Sequence, residues 1–205
     1  GFGLPPAGAP EWQDAGGAFS EMHFLVRKLT GGWHLDHGLL ASLLRLWTPA
    51  DPGGGDGCHT SVADFGAGSG HYCSFLNKTE EFCCHAFDGT PRAAFHSAGA
   101  VQTLRLDEPF DLGRAFDWVL CLEVAEHIPR ASEGALLSNL RRHAARGLVL
   151  SWSEHGGAPH PNHRPWPEVR DALASVGLVH DATASAQMSP RVPWLRGAVH
   201  IFRVS

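Results

Sequence analysis

The chain has 205 residues, the size of one ordinary domain. Its 43% hydrophobic content excludes disorder throughout, and no apolar run approaches the ~18 residues of a membrane span. Sixteen basic against 21 acidic residues give a net charge of −5, which excludes general attraction to a phosphate backbone. The unusual count is 14 histidines: protonating all of them would reverse the charge of the surface, and their number makes metal binding worth testing. The five cysteines, Cys58, Cys73, Cys83, Cys84 and Cys121, contain no CxxC pair. We therefore expect thiols, with one disulfide from Cys73 to Cys83 or Cys84 as the alternative in an oxidising compartment. Gly1 is not a natural start, so a trimmed or processed N-terminus is expected; the sequence assigns neither compartment nor oligomeric state.

Residues 1–17 are rich in Gly, Pro and Ala and read as an irregular arm. Apolar residues at helical spacing over 18–29 and 35–47 predict two helices, separated by Gly31-Gly32. PADPGGGDGCH, residues 49–59, reads as a flexible linker. From Ser61 the pattern alternates. VADFGAGSG is a short buried strand ending in a glycine turn, and HYCSFLNK a helix. FCCHAFDG and VQTLRL are strands, FDWVLCLEV an apolar strand, GALLSNLRRHAA a helix and GLVLSW a strand. PWPEVRDALASVG opens with Pro and closes with Gly, as helices prefer. The tail from Leu178 predicts two strands around a Pro-containing loop. This order implies an α/β fold: a doubly wound, mostly parallel sheet of seven strands, the last antiparallel.

Asp64-Phe65-Gly66-Ala67-Gly68-Ser69-Gly70 joins a strand to a helix. Small residues there let a ligand approach the backbone, and the helix start offers free N–H groups. The next strand ends in Asp88, 20 residues after Gly68, where a carboxylate can accept both hydroxyls of a ribose. Together they specify an adenosine-type ligand without choosing between a dinucleotide and S-adenosylmethionine.

VADFGAGSGHYC, AFDGTP and FDWVLCLEVAEHIP, in this order, resemble the motifs of class I S-adenosylmethionine-dependent methyltransferases over residues 60–204. The resemblance implies S-adenosylmethionine as cofactor, held by Asp64, Gly66, Ala67, Gly68, Asp88, Gly89, Leu106, Asp107, Cys121, Leu122 and Glu123. A dinucleotide fingerprint would place its third glycine one residue later. Residues 101–151 and HPNHRP also resemble a group of methyltransferase-like proteins of animals and algae.

Methyl transfer needs alignment in a dry site, and a base only where the acceptor arrives protonated. Glu126, His127, His160 and His163 are the candidate catalytic groups, with His155 and Asn162 nearby. Glu-x-x-Glu-His with a later His is similar to the metal site of small-RNA 2′-O-methyltransferases. That resemblance implies Glu123, Glu126, His127 and His160 or His163 as ligands of a divalent ion. The continuation that family shows is missing and no basic surface is present, so a metal-free acid/base role is favoured and nucleic acid is disfavoured as acceptor. Trp33, Trp152, Trp166 and Trp194 read as loop anchors or as walls of an acceptor pocket, and Trp118 as core. The expected organisation is an arm and helical lid over 1–59 and a methyltransferase domain over 60–205. The expected reaction moves a methyl group to an O or N atom of a small molecule or protein side chain. The rivals are a non-catalytic binding module and a metal-assisted RNA 2′-O-methyltransferase.

Overall fold

The computed structural model describes residues 13–32, 34–47, 58–156 and 160–205. Trp33, most of the arm and most of the 49–59 linker lie outside them. Among the described residues, no helix is long and apolar enough to cross a membrane.

Two helices come first, α1 (Glu21–Thr30) and α2 (His37–Trp47). Ser20 caps α1 by accepting from the His23 N–H, and Gly31 ends it with φ of +68°. The sheet follows: β1 (Thr60–Phe65), α3 (His71–Leu76), β2 (Phe82–Asp88), α4 (Ala93–His96), β3 (Val101–Thr103), β4 (Phe116–Cys121), α5 (Glu133–His143) and β5 (Ala144–Ser151). It ends with α6 (Trp166–Ser175), β6 (Leu178–His180), α7 (Ala182–Ala186) and β7 (Val199–Val204). The seven strands lie in the order β3-β2-β1-β4-β5-β7-β6. β7 is antiparallel to both of its neighbours, and the other recorded pairings are parallel. This is the expected doubly wound sheet with an antiparallel last strand. Strand order reverses between β1 and β4, where such sheets open a crevice at their carboxyl edge.

Two apolar layers hold the sheet. One side packs Leu39, Leu43 and Trp47 of α2 against Val62, Trp118 and Ile201. The other packs Leu136 and Leu140 of α5 and Leu173 of α6 against Phe65, Val119 and Phe202. The register slips between Phe116 and Trp118, and a Cβ on Gly147 would lie 2.5 Å from the Trp118 ring. Glycine at 147 thus makes room for the largest side chain of the strand. Because Trp47 is fully buried beside Trp118 (ring centroids 6.2 Å apart), α2 belongs to the core, whereas α1 buries Phe24 alone.

Three local expectations are corrected. β3 keeps only three residues of VQTLRL, because Arg105 and Asp107 leave the edge to form an ion pair. The tail carries a short helix, α7, where a loop was expected; Asp181 caps it by accepting from the Ala184 N–H, a signal that small residues without amphipathic spacing conceal. Four cysteines form disulfides rather than thiols: Cys73–Cys84, one of the two pairings given above as the alternative, and Cys58–Cys83, which was not expected, because β2 brings one cysteine against α3 and its neighbour against the segment before β1.

Trp47→Ala empties a buried indole site in the α2 layer. It is expected to lower unfolding stability by about 3–5 kcal/mol in urea denaturation, as for other large core deletions.

Candidate active site at the carboxyl edge of the sheet

A cavity of about 490 Å³ opens at the carboxyl ends of β1, β2 and β4. Its floor is the glycine turn. Gly66, Gly68 and Gly70 take φ of +81°, +56° and +79°, conformations that side chains resist. A Cβ on Gly66 would lie 2.2 Å from Val124, so glycine also lets the turn touch the loop after β4. The N–H groups of Gly66 and Ala67 donate to the Phe87 carbonyl, locking the turn to β2.

Asp88 ends β2 beside this turn. Gly68 N–H donates to its Oδ2 at 2.8 Å and Thr90 N–H to its Oδ1 at 2.9 Å, and each oxygen keeps further acceptor capacity. Burial nevertheless raises its pKa, outweighing those bonds. Asp64, one residue before the end of β1, is 4% exposed, and its Oδ2 has no partner. Burial, then repulsion from Asp88, pushes its pKa up to about 7. Two carboxylates are thus held side by side in a dry place that does little to satisfy their charge. A ligand with a cationic group and vicinal hydroxyls fits these groups.

Leu106, Asp107 and Gly89 line the same cavity. Arg105 donates to Asp107 at 2.8 Å and also pairs with Asp14 of the arm. Leu122 and Glu123 line the wall after β4. Glu123 has φ of +56°, a conformation costing about 1–2 kcal/mol in a non-glycine residue. Its N–H donates to Ser151 Oγ, and Ser151 Oγ donates back to Glu123 Oε1, both at 2.8 Å. That reciprocal pair holds the strained backbone and aims the carboxylate.

Cys121 does not join this wall. Strand alternation turns it into the core layer opposite Leu120, among Phe65, Val119 and Leu150, and its fully buried thiol is pushed to high pKa by burial.

The candidate catalytic groups divide. Glu126, His127 and His160 come together, with one ligand-type atom from each within 4.8 Å of the others. His127 and His160 line the cavity, their rings 4.9 Å apart at 76°. Glu126 lies behind them, fully buried, with both carboxylate oxygens lacking a hydrogen-bond partner. Burial, then Glu123, raises its pKa to about 8. His163 stays outside: it is exposed, it lies against Gly156, and its nearest polar partner is the His160 carbonyl. Asn162 turns the other way and buries itself. Its N–H donates to the Glu126 carbonyl, its carbonyl accepts from Trp152 Nε1 at 2.6 Å, and its Nδ2 donates to Glu133. This anchor delivers His160 to the cavity and leaves His155 exposed. Of the tryptophans, Trp194 lines the mouth at 58% exposure, Trp152 is an anchor and Trp166 stacks on His200.

Hydrogen bonding assigns the two imidazoles different protons. The His155 carbonyl can only accept, so His160 carries a proton on Nδ1, and in the neutral ring the lone pair is on Nε2. Gln13 Nε2 donates to the Gly17 carbonyl at 3.2 Å and lies 2.8 Å from His127 Nδ1, which therefore accepts. His127 is left with its proton on Nε2.

Gln13 and Asp14 were not expected from the sequence. They belong to an arm segment that crosses the cavity mouth, with Gly16, Gly17, Ala18 and Phe19 lining it. A Cβ on Gly17 would lie 2.0 Å from the His127 carbonyl, so Gly16-Gly17, read as loop composition, is a close docking contact. The ring of Phe19 stacks on His23 at 4.2 Å and meets His127 edge-on at 4.9 Å.

Comparisons with known proteins identify the family and the fold. A model of the methyltransferase domain family matches residues 33–183. No curated protein matches the sequence significantly. Among solved structures, the amino pentose methyltransferase CalS10 of Micromonospora echinaspora, with S-adenosylmethionine bound, superposes with a TM-score of 0.63 at 15% identity, covering 88% of this chain and 96% of that one. Magnesium protoporphyrin IX methyltransferase of Synechocystis PCC 6803, with S-adenosylhomocysteine bound, gives 0.60 at 17% identity, covering 90% and 95%. A Burkholderia thailandensis 1,6-didemethyltoxoflavin-N1-methyltransferase gives 0.57 at 18% identity, covering 90% and 86%. With a family match over residues 33–183, about three quarters of its length, and these superpositions, the chain belongs to the methyltransferase domain family and has the class I methyltransferase fold.

Proposed function

We propose that the cavity binds S-adenosylmethionine and that the protein moves its methyl group to an oxygen or nitrogen of a small molecule or protein side chain. The observation that carries this reading is the pair Asp64 and Asp88, buried at the ends of adjacent strands on either side of the glycine turn. Asp88 suits the ribose hydroxyls, Asp64 the ammonium group, and Leu106 with Asp107 the adenine. When bound, the cofactor supplies a methyl group on a sulfonium, already activated for in-line displacement.

The protein's share is then alignment, exclusion of water and handling of one proton. Glu123, His127 and His160 face the cavity from the loops after β4 and β5. His160, with Nε2 unprotonated, takes the proton from the acceptor atom; His127, with Nε2 protonated, donates a hydrogen bond that orients it. Glu126 lies behind the pair, its carboxylate within 4.8 Å of both imidazoles. The arm and α1 serve as the lid: Gln13 and Asp14 fasten it to His127 and Arg105, and Phe19, His23 and Trp194 border the acceptor's entry. A second reading rests on the unpartnered Glu126 carboxylate beside two imidazoles, a donor set that suits manganese or zinc.

Calorimetric titration with S-adenosylhomocysteine tests the cofactor reading. Wild type should bind, and Asp88→Ala should bind about 10- to 100-fold more weakly, the loss of one or two hydrogen bonds to a charged acceptor. No binding by the folded wild type would remove the reading.

Asp64 adds a pH dependence. Its pKa in the ligand-free fold is raised from 3.8 to about 7, so folding favours the protonated form. Stability contributed by this group is full below about pH 4 and falls as pH rises to about 7. Asp64→Asn should therefore raise the melting temperature of the ligand-free protein at pH 8, with little change near pH 4. Because the ammonium partner needs the carboxylate, wild-type affinity should drop as pH falls through about 7, and the variant should bind weakly at every pH.

His160→Gln tests the proton acceptor. With labelled cofactor and cell extract separated into protein, nucleic-acid and small-molecule fractions, the substitution should cut methyl incorporation by about 10²- to 10⁴-fold. Affinity for S-adenosylhomocysteine should remain within a few fold. Loss of activity on EDTA treatment, restored by manganese, would replace the acid/base role by the metal reading.

A further inference from the structure

Four of the five cysteines meet in pairs, and the pattern is directional. Cys83 and Cys84 are adjacent on β2, so their side chains leave opposite faces of the strand. Cys83 meets Cys58, just before β1, with Cα atoms 5.5 Å apart; Cys84 meets Cys73 on α3, with Cα atoms 4.9 Å apart. Both separations suit disulfide bonds without backbone movement. Cys121 is left alone in the core.

The inner bond lies at the cofactor cradle. α3 runs directly out of the glycine turn, and β2 runs directly into Asp88. Cys73–Cys84 therefore cross-links the two elements whose separation sets the distance from the turn to the ribose-binding carboxylate. Asn77, at the end of α3, makes a second attachment to the same point: its Nδ2 donates to the Cys84 carbonyl at 2.9 Å, and the Cys84 N–H donates to its Oδ1 at 2.7 Å. Exposure separates the two bonds. Cys73 and Cys84 are 3% and 6% exposed, whereas Cys58 is exposed and Cys83 half-buried.

We propose that the oxidised chain is the working form, matured in an oxidising compartment, and that Cys73–Cys84 is a positioning element of the cofactor site while Cys58–Cys83 is an outer latch. The inference rests on the cofactor reading above. Each bond forms by thiol–disulfide exchange: two protein thiols are oxidised to one S–S bond, and one oxidant disulfide, such as oxidised glutathione, is reduced to two thiols, taking both electrons and both protons. A buried bond is out of reach of a reductant until the cradle opens, so a bound ligand that keeps the cradle closed also protects the bond.

The experiment begins with full-length protein folded in oxidising conditions and mapped by alkylation and peptide mass spectrometry. The expected links are 58–83 and 73–84, with Cys121 alkylated only after denaturation; free thiols at 73 and 84, or exchanged partners, would overturn the proposal. Dithiothreitol added to the native protein should open the outer bond first. S-adenosylhomocysteine should slow opening of the inner bond by about the ratio of bound to free protein while leaving the outer rate unchanged. Equal rates for both bonds, indifferent to ligand, would again overturn it. The double variant C73S/C84S should bind S-adenosylhomocysteine about tenfold more weakly and melt about 10 °C lower, whereas C58S/C83S should bind within about twofold of wild type. Wild-type affinity and melting temperature in C73S/C84S would refute the positioning role. If C73S/C84S does not fold, the ligand dependence of inner-bond reduction in wild type decides. Correctly paired wild type that fails to bind S-adenosylhomocysteine would instead refute the cofactor reading.

Discussion

A carboxylate held in a dry site without full compensation organises this molecule. Asp64 and Asp88 sit at the ends of neighbouring strands, and the parallel register that pairs Asp64 with Ala86 fixes their separation. Desolvating a charge costs several kcal/mol unless a partner restores what water supplied. The fold restores part of it for Asp88, through the N–H groups of Gly68 and Thr90. For Asp64 Oδ2 it restores nothing. The positive φ angles of the glycine turn follow from this constraint, since only that path brings the Gly68 N–H onto Asp88 while Gly66 touches Val124. Everything around the turn, from the α2 layer to the Cys73–Cys84 bond, keeps β1, β2 and α3 from relaxing apart.

The second constraint couples the arm to the imidazoles. Gln13 lies 114 residues from His127 in sequence, yet its amide fixes which nitrogen of that ring is protonated. Asp14 reaches Arg105, which also holds Asp107. Docking of the arm therefore acts on both halves of the cavity, the half bordered by Asp107 and the half bordered by His127. An arm fastened at only one of these points would leave the other half open to water, and in a wet site each electrostatic interaction would weaken.

Local order made much of this legible. The strand, glycine turn and helix at 62–76, and an acid 20 residues after Gly68, follow from short-range rules, and the structure places both where those rules put them. The seven-stranded sheet was legible for the same reason: alternation of buried strands and helices leaves few topologies. Cys121 was misread because neighbours in a strand face opposite ways, so a motif that lines a pocket in part need not do so at each residue. His160 and His163 could not be separated by spacing alone, because the difference lies in Asn162, whose buried hydrogen bonds to Glu126, Glu133 and Trp152 set the turn of the loop. Cys73–Cys84 spans 11 residues and was among the pairings the sequence offered, whereas Cys58–Cys83 and the Gln13–His127 contact join residues 25 and 114 apart, and no local pattern encodes such partners.

Unpartnered buried polar atoms also occur away from the cavity, and the comparison is informative. The indole nitrogens of Trp47 and Trp118 have no acceptor, yet both rings are fully buried between α2 and the sheet. Each neutral N–H forgoes donating one hydrogen bond, a cost of about 1–3 kcal/mol, and burial of a large apolar ring offsets it. Asp64 and Glu126 have no such compensation. A carboxylate brings almost no apolar area into the core, and its desolvation costs more than that of an indole. Packing therefore accounts for the tryptophans and not for the acids. Asp64 lies near the end of β1 and lines the crevice, and Glu126 lies buried in the turn after β4, beside His127 and His160, which line it too. Keeping two acids under-satisfied at one edge of the sheet costs stability, and burial answers that cost by raising both pKa values, to about 7 for Asp64 and about 8 for Glu126, so that each takes up a proton more readily than an exposed carboxylate does.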